Sequence, residues 1–157
     1  MKLLTWWSSK LLLCGVAAIL AGGLTLVARA APGIPDPCKL ITVAELEQII
    51  GPLKGVPKPG DIQSGDVSCS YAPVNGSRWI SIMLHDGELS DVREMRDDQN
   101  LVSLPEFGKD AFVNPDFEGM VDLYATKGSL IVRVILPKGP TAVDTAKAIA
   151  RKALARL

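Results

Sequence analysis

MVDLYATKGSLIVRVIL, residues 120–136, reads as two β-strands joined at Lys127-Gly128. With that pair as a two-residue turn, counting outward sets Ala125 against Leu130, Leu123 against Val132 and Val121 against Val134, a wholly apolar face. The other face sets Asp122 against Arg133, between Tyr124 with Ile131 and Met120 with Ile135, so that opposite charges meet across the strands. A strand pair that is apolar on one whole face needs a second layer to bury it.

The flanking chain supplies that layer. Thr141 is placed to cap a helix running to Leu157, with Asp144 in its first turn and Lys147, Arg151, Lys152 and Arg156 further along, the polarity a helix dipole favours. Ala146, Ile149, Ala150, Ala153, Leu154 and Leu157 form its apolar stripe. Upstream, Asn75-Gly76 separates two β-prone runs and predicts a second hairpin. There Tyr71 faces Ile80, Cys69 faces Ile82 and Val67 faces Leu84, while Ala72-Trp79, Ser70-Ser81 and Ser68-Met83 share the opposite face. Asn75-Gly76-Ser77 also fits a glycosylation acceptor, although the turn accounts for it without sugar.

Thr42 with Glu45 makes a capping box, Val43, Leu46 and Ile50 a helical stripe, and Gly51-Pro52 a stop, which predicts a helix over Val43 to Ile50. Leu53 to Gly65 reads as loop, punctuated by Pro57, Pro59 and glycines. Ser90 and Asp91 cap a short surface helix reaching about Asn100, and Ala111 to Val113 reads as a short strand. The order is therefore α-β-β-α-β-β-β-α. The expected fold is α+β, a single domain with a curved, largely antiparallel sheet of about five strands and two or three helices, the first and last on its apolar face.

At the other end of the chain, Lys2 and Lys10 precede the apolar run Leu11 to Val27 and then Ala28-Arg29-Ala30, the pattern of a secretory signal peptide cleaved after Ala30. Two alternatives stay open: an uncleaved anchor, since the run approaches spanning length, and a lipoprotein acylated at Cys14, where the bulky Leu11-Leu12-Leu13 fits poorly. The chain then divides into a leader over 1–30, an extended proline-rich lead-in over 31–37 and one domain over 38–157, with no transmembrane segment after cleavage. Cleavage leaves Cys38 and Cys69 as the only cysteines, expected to pair in an oxidising compartment, periplasmic or extracellular. Their bond should tie the first helix to the apolar face of the Asn75-Gly76 hairpin.

The full chain is formally neutral, but the leader holds three bases and no acid, so residues 31–157 carry 14 basic against 17 acidic side chains. Without a basic cluster, nucleic acid is not an expected partner.

Pro37-Cys38-Lys39-Leu40-Ile41-Thr42 with Glu45 and Ile50-Gly51, then Cys69-Ser70-Tyr71, then Leu104-Pro105-Glu106-Phe107-Gly108-Lys109-Asp110-Ala111-Phe112, resembles the DUF3558 family of small exported bacterial proteins, many of them lipoproteins. The resemblance runs over most of residues 37–157. It implies an exported α+β domain and transfers no catalytic residue, because the family carries no established activity. The weak acylation context of Cys14 departs from its lipoprotein members.

No catalytic, cofactor or metal site is expected. His85 is the only histidine, which excludes histidine-rich zinc sites. Its partnership with Asp86 in a hydrolase is the weakest of three readings, since no Gly-x-Ser-x-Gly elbow accompanies it. Asp86, Glu88 and Asp91 lack the spacing of a calcium loop. What stands out is the reverse face of the sheet, where the registers put Trp79, Met83, Met120, Tyr124, Ile131 and Ile135 away from the first and last helices. Aromatic and methionine side chains beside a charge pair suit a binding surface for a protein or small ligand in the envelope. The alternatives are that the second helix and the Leu53–Gly65 loop simply cover this face, or that the domain is a structural component of the envelope.

Overall fold

The computed structural model describes residues 33–60, 65–76, 78–96 and 100–157. The leader with Cys14, the cleavage point after Ala30, and Ser77 of the acceptor triplet lie outside the described residues. The elements are α1 (Val43–Ile50), β1 (Lys58–Pro59), β2 (Val67–Tyr71), β3 (Ile80–Asp86), α2 (Leu89–Met95), β4 (Val102–Ser103), β5 (Phe112–Phe117), β6 (Met120–Lys127), β7 (Leu130–Pro137) and α3 (Ala142–Ala155). Short 3-10 turns cover Pro37–Lys39 and Pro105–Phe107.

The class is α+β, and all strands join one antiparallel sheet in the order β1-β2-β3-β7-β6-β5-β4. Among the described residues that is seven strands rather than the expected five or so. The two additions are two-residue edge strands: β1, inside the segment read as loop, and β4, just before Leu104. Short edges, one containing Pro59, offer little for another chain to pair with. The two hairpins meet at the centre, where β3 pairs β7 with Ile82 opposite Val134 and Leu84 opposite Val132.

The β2–β3 register is as read, from Val67–Leu84 to Tyr71–Ile80. The turn seen among the described residues spans Pro73 to Gly76, with Gly76 N donating to Pro73 O at 3.4 Å. The ladder stops at Tyr71–Ile80, because Pro73 has no N–H to donate and residues 72–74 turn toward the chain after α1, with Lys54 N donating to Ala72 O and Val74 N to Pro52 O.

The β6–β7 register differs from the expected one by two residues. Lys127 faces Leu130, Tyr124 faces Arg133 and Asp122 faces Ile135. The turn is Gly128-Ser129, with positive φ only at Gly128; a turn at Lys127-Gly128 of the favoured kind would force the lysine into that region too. A shift of two leaves every side chain on its original face, so the face assignments stand while the pairs change. Asp122 and Arg133 still meet, diagonally. A third hairpin, unforeseen, joins β5 to β6 through Glu118-Gly119, where both residues have positive φ.

The helix side holds the core. Ile82, Leu84, Val121, Leu123, Val132 and Val134 are buried there, and α3 lies over β5, β6 and β7 with Ala146, Ile149, Ala150 and Ala153 inward. Alanines let the helix approach the sheet closely. α1 begins with the expected capping box, Glu45 N donating to Thr42 Oγ1 and Thr42 N to Glu45 Oε2. Glu45 also takes Arg156 Nη2 at 2.7 Å, so α1 is tied to the end of α3. Three helix details depart from expectation: α2 starts at Leu89 after Glu88, so Ser90 and Asp91 lie inside it rather than capping it; it ends at Met95; and Thr141, though at the start of α3, makes no side-chain cap bond. The Cys38–Cys69 disulfide is formed and anchors the turn before α1 to β2.

Candidate functional site

The reverse face is organised in rows set by the registers. Met83, Arg133, Tyr124 and Phe112 lie across four adjacent strands, and Ser81, Ile135, Asp122 and Asn114 form the next row. Side chains two residues apart on one strand share this face, so Arg133 reaches across to Asp122 in the neighbouring row.

Asp122 is fully buried. Arg133 binds it with two parallel bonds, Nε to Oδ1 at 2.8 Å and Nη2 to Oδ2 at 2.7 Å. Arg96, just past α2, puts a terminal nitrogen 3.3 Å from Asp122 Oδ2 and donates to the Tyr124 hydroxyl at 2.5 Å. Tyr124 in turn donates to Asp122 Oδ2 at 3.2 Å. The result is one carboxylate held by two guanidiniums and a phenol. Burial first, and then the neighbouring Asp122 charge, raise the Tyr124 pKa beyond the usual phenol range, so its proton stays in place to make that bond. For Arg133, burial alone would lower the pKa; its bonds to Asp122 outweigh that and the net shift is upward.

Aromatic rings frame the cluster. Tyr124 stacks on Phe112 with centroids 4.7 Å apart, and the Arg96 guanidinium lies 4.3 Å from the centre of Phe117. Such contacts fix where a guanidinium points without consuming its hydrogen-bond donors.

Two hollows open on either side of Arg133, which lines both. The first, about 340 Å³, lies between α2 and the sheet, with Met83, Ile131, Val92 and Met95 as apolar wall and Arg96, Arg133, Tyr124, His85 and Asp66 as polar wall. The second, about 410 Å³, is lined by Arg78, Trp79, Phe117, Glu118, Met120, Arg133 and Ile135. Arg78 crosses to the β5–β6 turn and donates to Gly119 O at 3.1 Å. A smaller hollow near the sheet edge shares Trp79. Volumes of a few hundred Å³ with apolar walls and a few converging polar groups are those of small-ligand pockets.

The six residues singled out on this face divide between the hollows: Met83, Tyr124 and Ile131 in the first, Trp79, Met120 and Ile135 in the second. They are not equally open. Tyr124, Ile131 and Ile135 are buried, Met83 and Met120 half-buried, and Trp79 is 52% exposed. The second helix does cover part of the face, as one alternative held; the covering is partial and leaves the hollows. Arg96, Phe112 and Phe117 were not anticipated in the site. Phe112 and Phe117 lie in β5, of which the sequence marks only Ala111 to Val113 as strand, and in the sequence Arg96 reads as one more charge on a surface helix.

His85 pairs with Asp66 through Nδ1, not with Asp86, which is exposed at the end of β3. Among the described residues no serine or threonine hydroxyl bonds His85. Nor, among the described residues, do three His, Cys, Asp or Glu side chains gather where a metal could be held, and among them no helix is long and apolar enough to cross a membrane. No protein-family model, no curated protein and no solved structure matches this chain.

Proposed function

We propose that this chain is an exported, non-catalytic binding module whose working surface is the reverse face of the sheet, and that it shares the DUF3558 pattern of small envelope proteins. The observation that carries the reading is the pair of adjoining hollows either side of Arg133, with Trp79 half-exposed at one and Met95, 77% exposed, at the other. Large apolar side chains left wet beside preorganised guanidiniums desolvate readily and hold a partner in one orientation. Export is supported by the Cys38–Cys69 bond, which persists only where thiols are not kept reduced.

The test recovers the protein from the cell envelope under native conditions, alongside a Trp79→Ala/Met120→Ala variant with an unchanged melting curve. Both substitutions lie on the open hollow, whereas replacing buried Tyr124 would break its stack on Phe112. Material that accompanies the unaltered chain and is lost from the variant supports the reading. Identical material on both, or none on either, removes it.

A further inference from the structure

The donors around the first hollow are unequally used. Arg133 spends Nε and one terminal nitrogen on Asp122, and Arg96 spends one terminal nitrogen on Tyr124 and Asp122. Among the described residues, the second terminal nitrogen of Arg133 and both Nε and the other terminal nitrogen of Arg96 donate no hydrogen bond. The two side chains are only 24% and 19% exposed. Asp66, the other acid on the wall, is engaged by His85.

Three ligand chemistries can be weighed against that arrangement. The thioethers of Met83 and Met95 with the His85 ring would suit a soft cation, but Asp122 offsets only one of the two guanidinium charges beside the hollow, and the remainder opposes a positive charge. A neutral apolar molecule would displace water from the remaining donors and leave them unpaired, which costs free energy. A carboxylate satisfies them, since its two oxygens match the planar guanidinium fork that Arg133 already presents to Asp122.

We propose that the first hollow takes the carboxylate end of a small single-chain amphiphile, held by Arg96 and Arg133, with its apolar body on Met83, Val92, Met95 and Ile131. This rests on the reading of the reverse face as a binding surface and names its ligand class. A hollow of about 340 Å³ holds roughly eleven water volumes of about 30 Å³ each, room for a molecule the size of octanoate.

The experiment follows the methionine methyl signals of the protein by NMR during titration with octanoate, octan-1-ol and octylamine. Octanoate is expected to shift Met83 and Met95 saturably, with octanol at least about tenfold weaker, because only the carboxylate makes charge-assisted bonds. Octylamine is expected to leave both signals in place. Arg96→Gln should bring octanoate to the level of octanol, and Arg96→Lys should retain part of the difference; the three-ligand comparison on the unaltered chain stands even if these variants misfold. Octanol binding as tightly as octanoate overturns the carboxylate assignment and leaves the binding surface intact. Shifts confined to Met120 overturn the assignment to the first hollow, and no shift of any methionine with any of the three overturns the ligand class while leaving the binding-surface reading to the envelope recovery.

Discussion

Replacing Asp122 by Asn keeps the side chain's shape and removes its charge. In the folded protein Asp122 is fully buried and accepts from Arg133 Nε and Nη2 and from the Tyr124 hydroxyl, with Arg96 3.3 Å away. An asparagine can accept through one oxygen only, and its amide hydrogens would face a guanidinium. Breaking a buried ion pair from one side costs about 3–5 kcal/mol. Here the guanidiniums remain about a fifth exposed and keep some hydration, which puts the expected loss near the lower end, about 3 kcal/mol. Against a total of roughly 5–15 kcal/mol for a domain, that is a large fraction. With a urea slope of about 2 kcal/mol/M, the unfolding midpoint should fall by about 1.5 M. An Asp122→Asn/Arg133→Met double variant should lose less than the two single losses combined, because the second change removes a charge stranded by the first. A loss below about 1 kcal/mol for Asp122→Asn, or full additivity, would mean that the cluster is solvated and does not organise the face.

Reducing the Cys38–Cys69 bond, which closes a separation of 31 residues, should lower stability by about 3–4 kcal/mol in the chain-entropy model; an unchanged urea midpoint with both thiols titrating as free would contradict this. The Tyr71 hydroxyl is buried without a hydrogen-bond partner among the described residues, and its pKa is pushed up to about 12, by burial first and then by Asp36. Tyr71→Phe removes an unpaired polar atom, so its melting temperature should equal or exceed that of the unaltered chain, and a clear drop would show that the hydroxyl has a partner. Glu45 is held well below the usual carboxylate range, first by its bond to Arg156 and then by the Thr42 backbone. A lowered folded pKa gives stability that is fully present above the unfolded value of about 4.3 and lost as pH falls below it toward the folded value. The melting-temperature gap between the unaltered chain and Glu45→Gln should therefore be widest near pH 7 and narrow by about pH 2.5; a constant gap would refute the assignment.

Local signals carried much of the fold. The Thr42–Glu45 box and Gly51-Pro52 stop marked α1 to the residue, and alternation placed β2, β3, β6 and β7 on their correct faces. Registers were less legible. One turn was misplaced because Lys127-Gly128 and Gly128-Ser129 look alike until the φ of each residue is known, and the Asp122–Arg133 pair could not decide between them, since a diagonal contact satisfies it as well as a direct one. The Glu118-Gly119 turn, with a non-glycine at positive φ, carried no strong signal at all. For the site, alternation identified the face but not its depth. Whether Tyr124 is wet or buried depends on where α2 docks, and that follows from β3 pairing β7, a contact between distant parts of the chain. Arg96 becomes part of the site for the same reason.

The claim that this face is occupied in the cell is tested most directly by hydroxyl-radical footprinting of the chain in intact envelopes and after purification. Trp79 and Met95 on the face, and Val43 and Val102 away from the two hollows, are all exposed in the isolated structure. The account expects all four to be labelled in the purified protein, with Trp79 and Met95 protected in the envelope while Val43 and Val102 keep their labelling. Equal labelling of Trp79 and Met95 in both settings would contradict it.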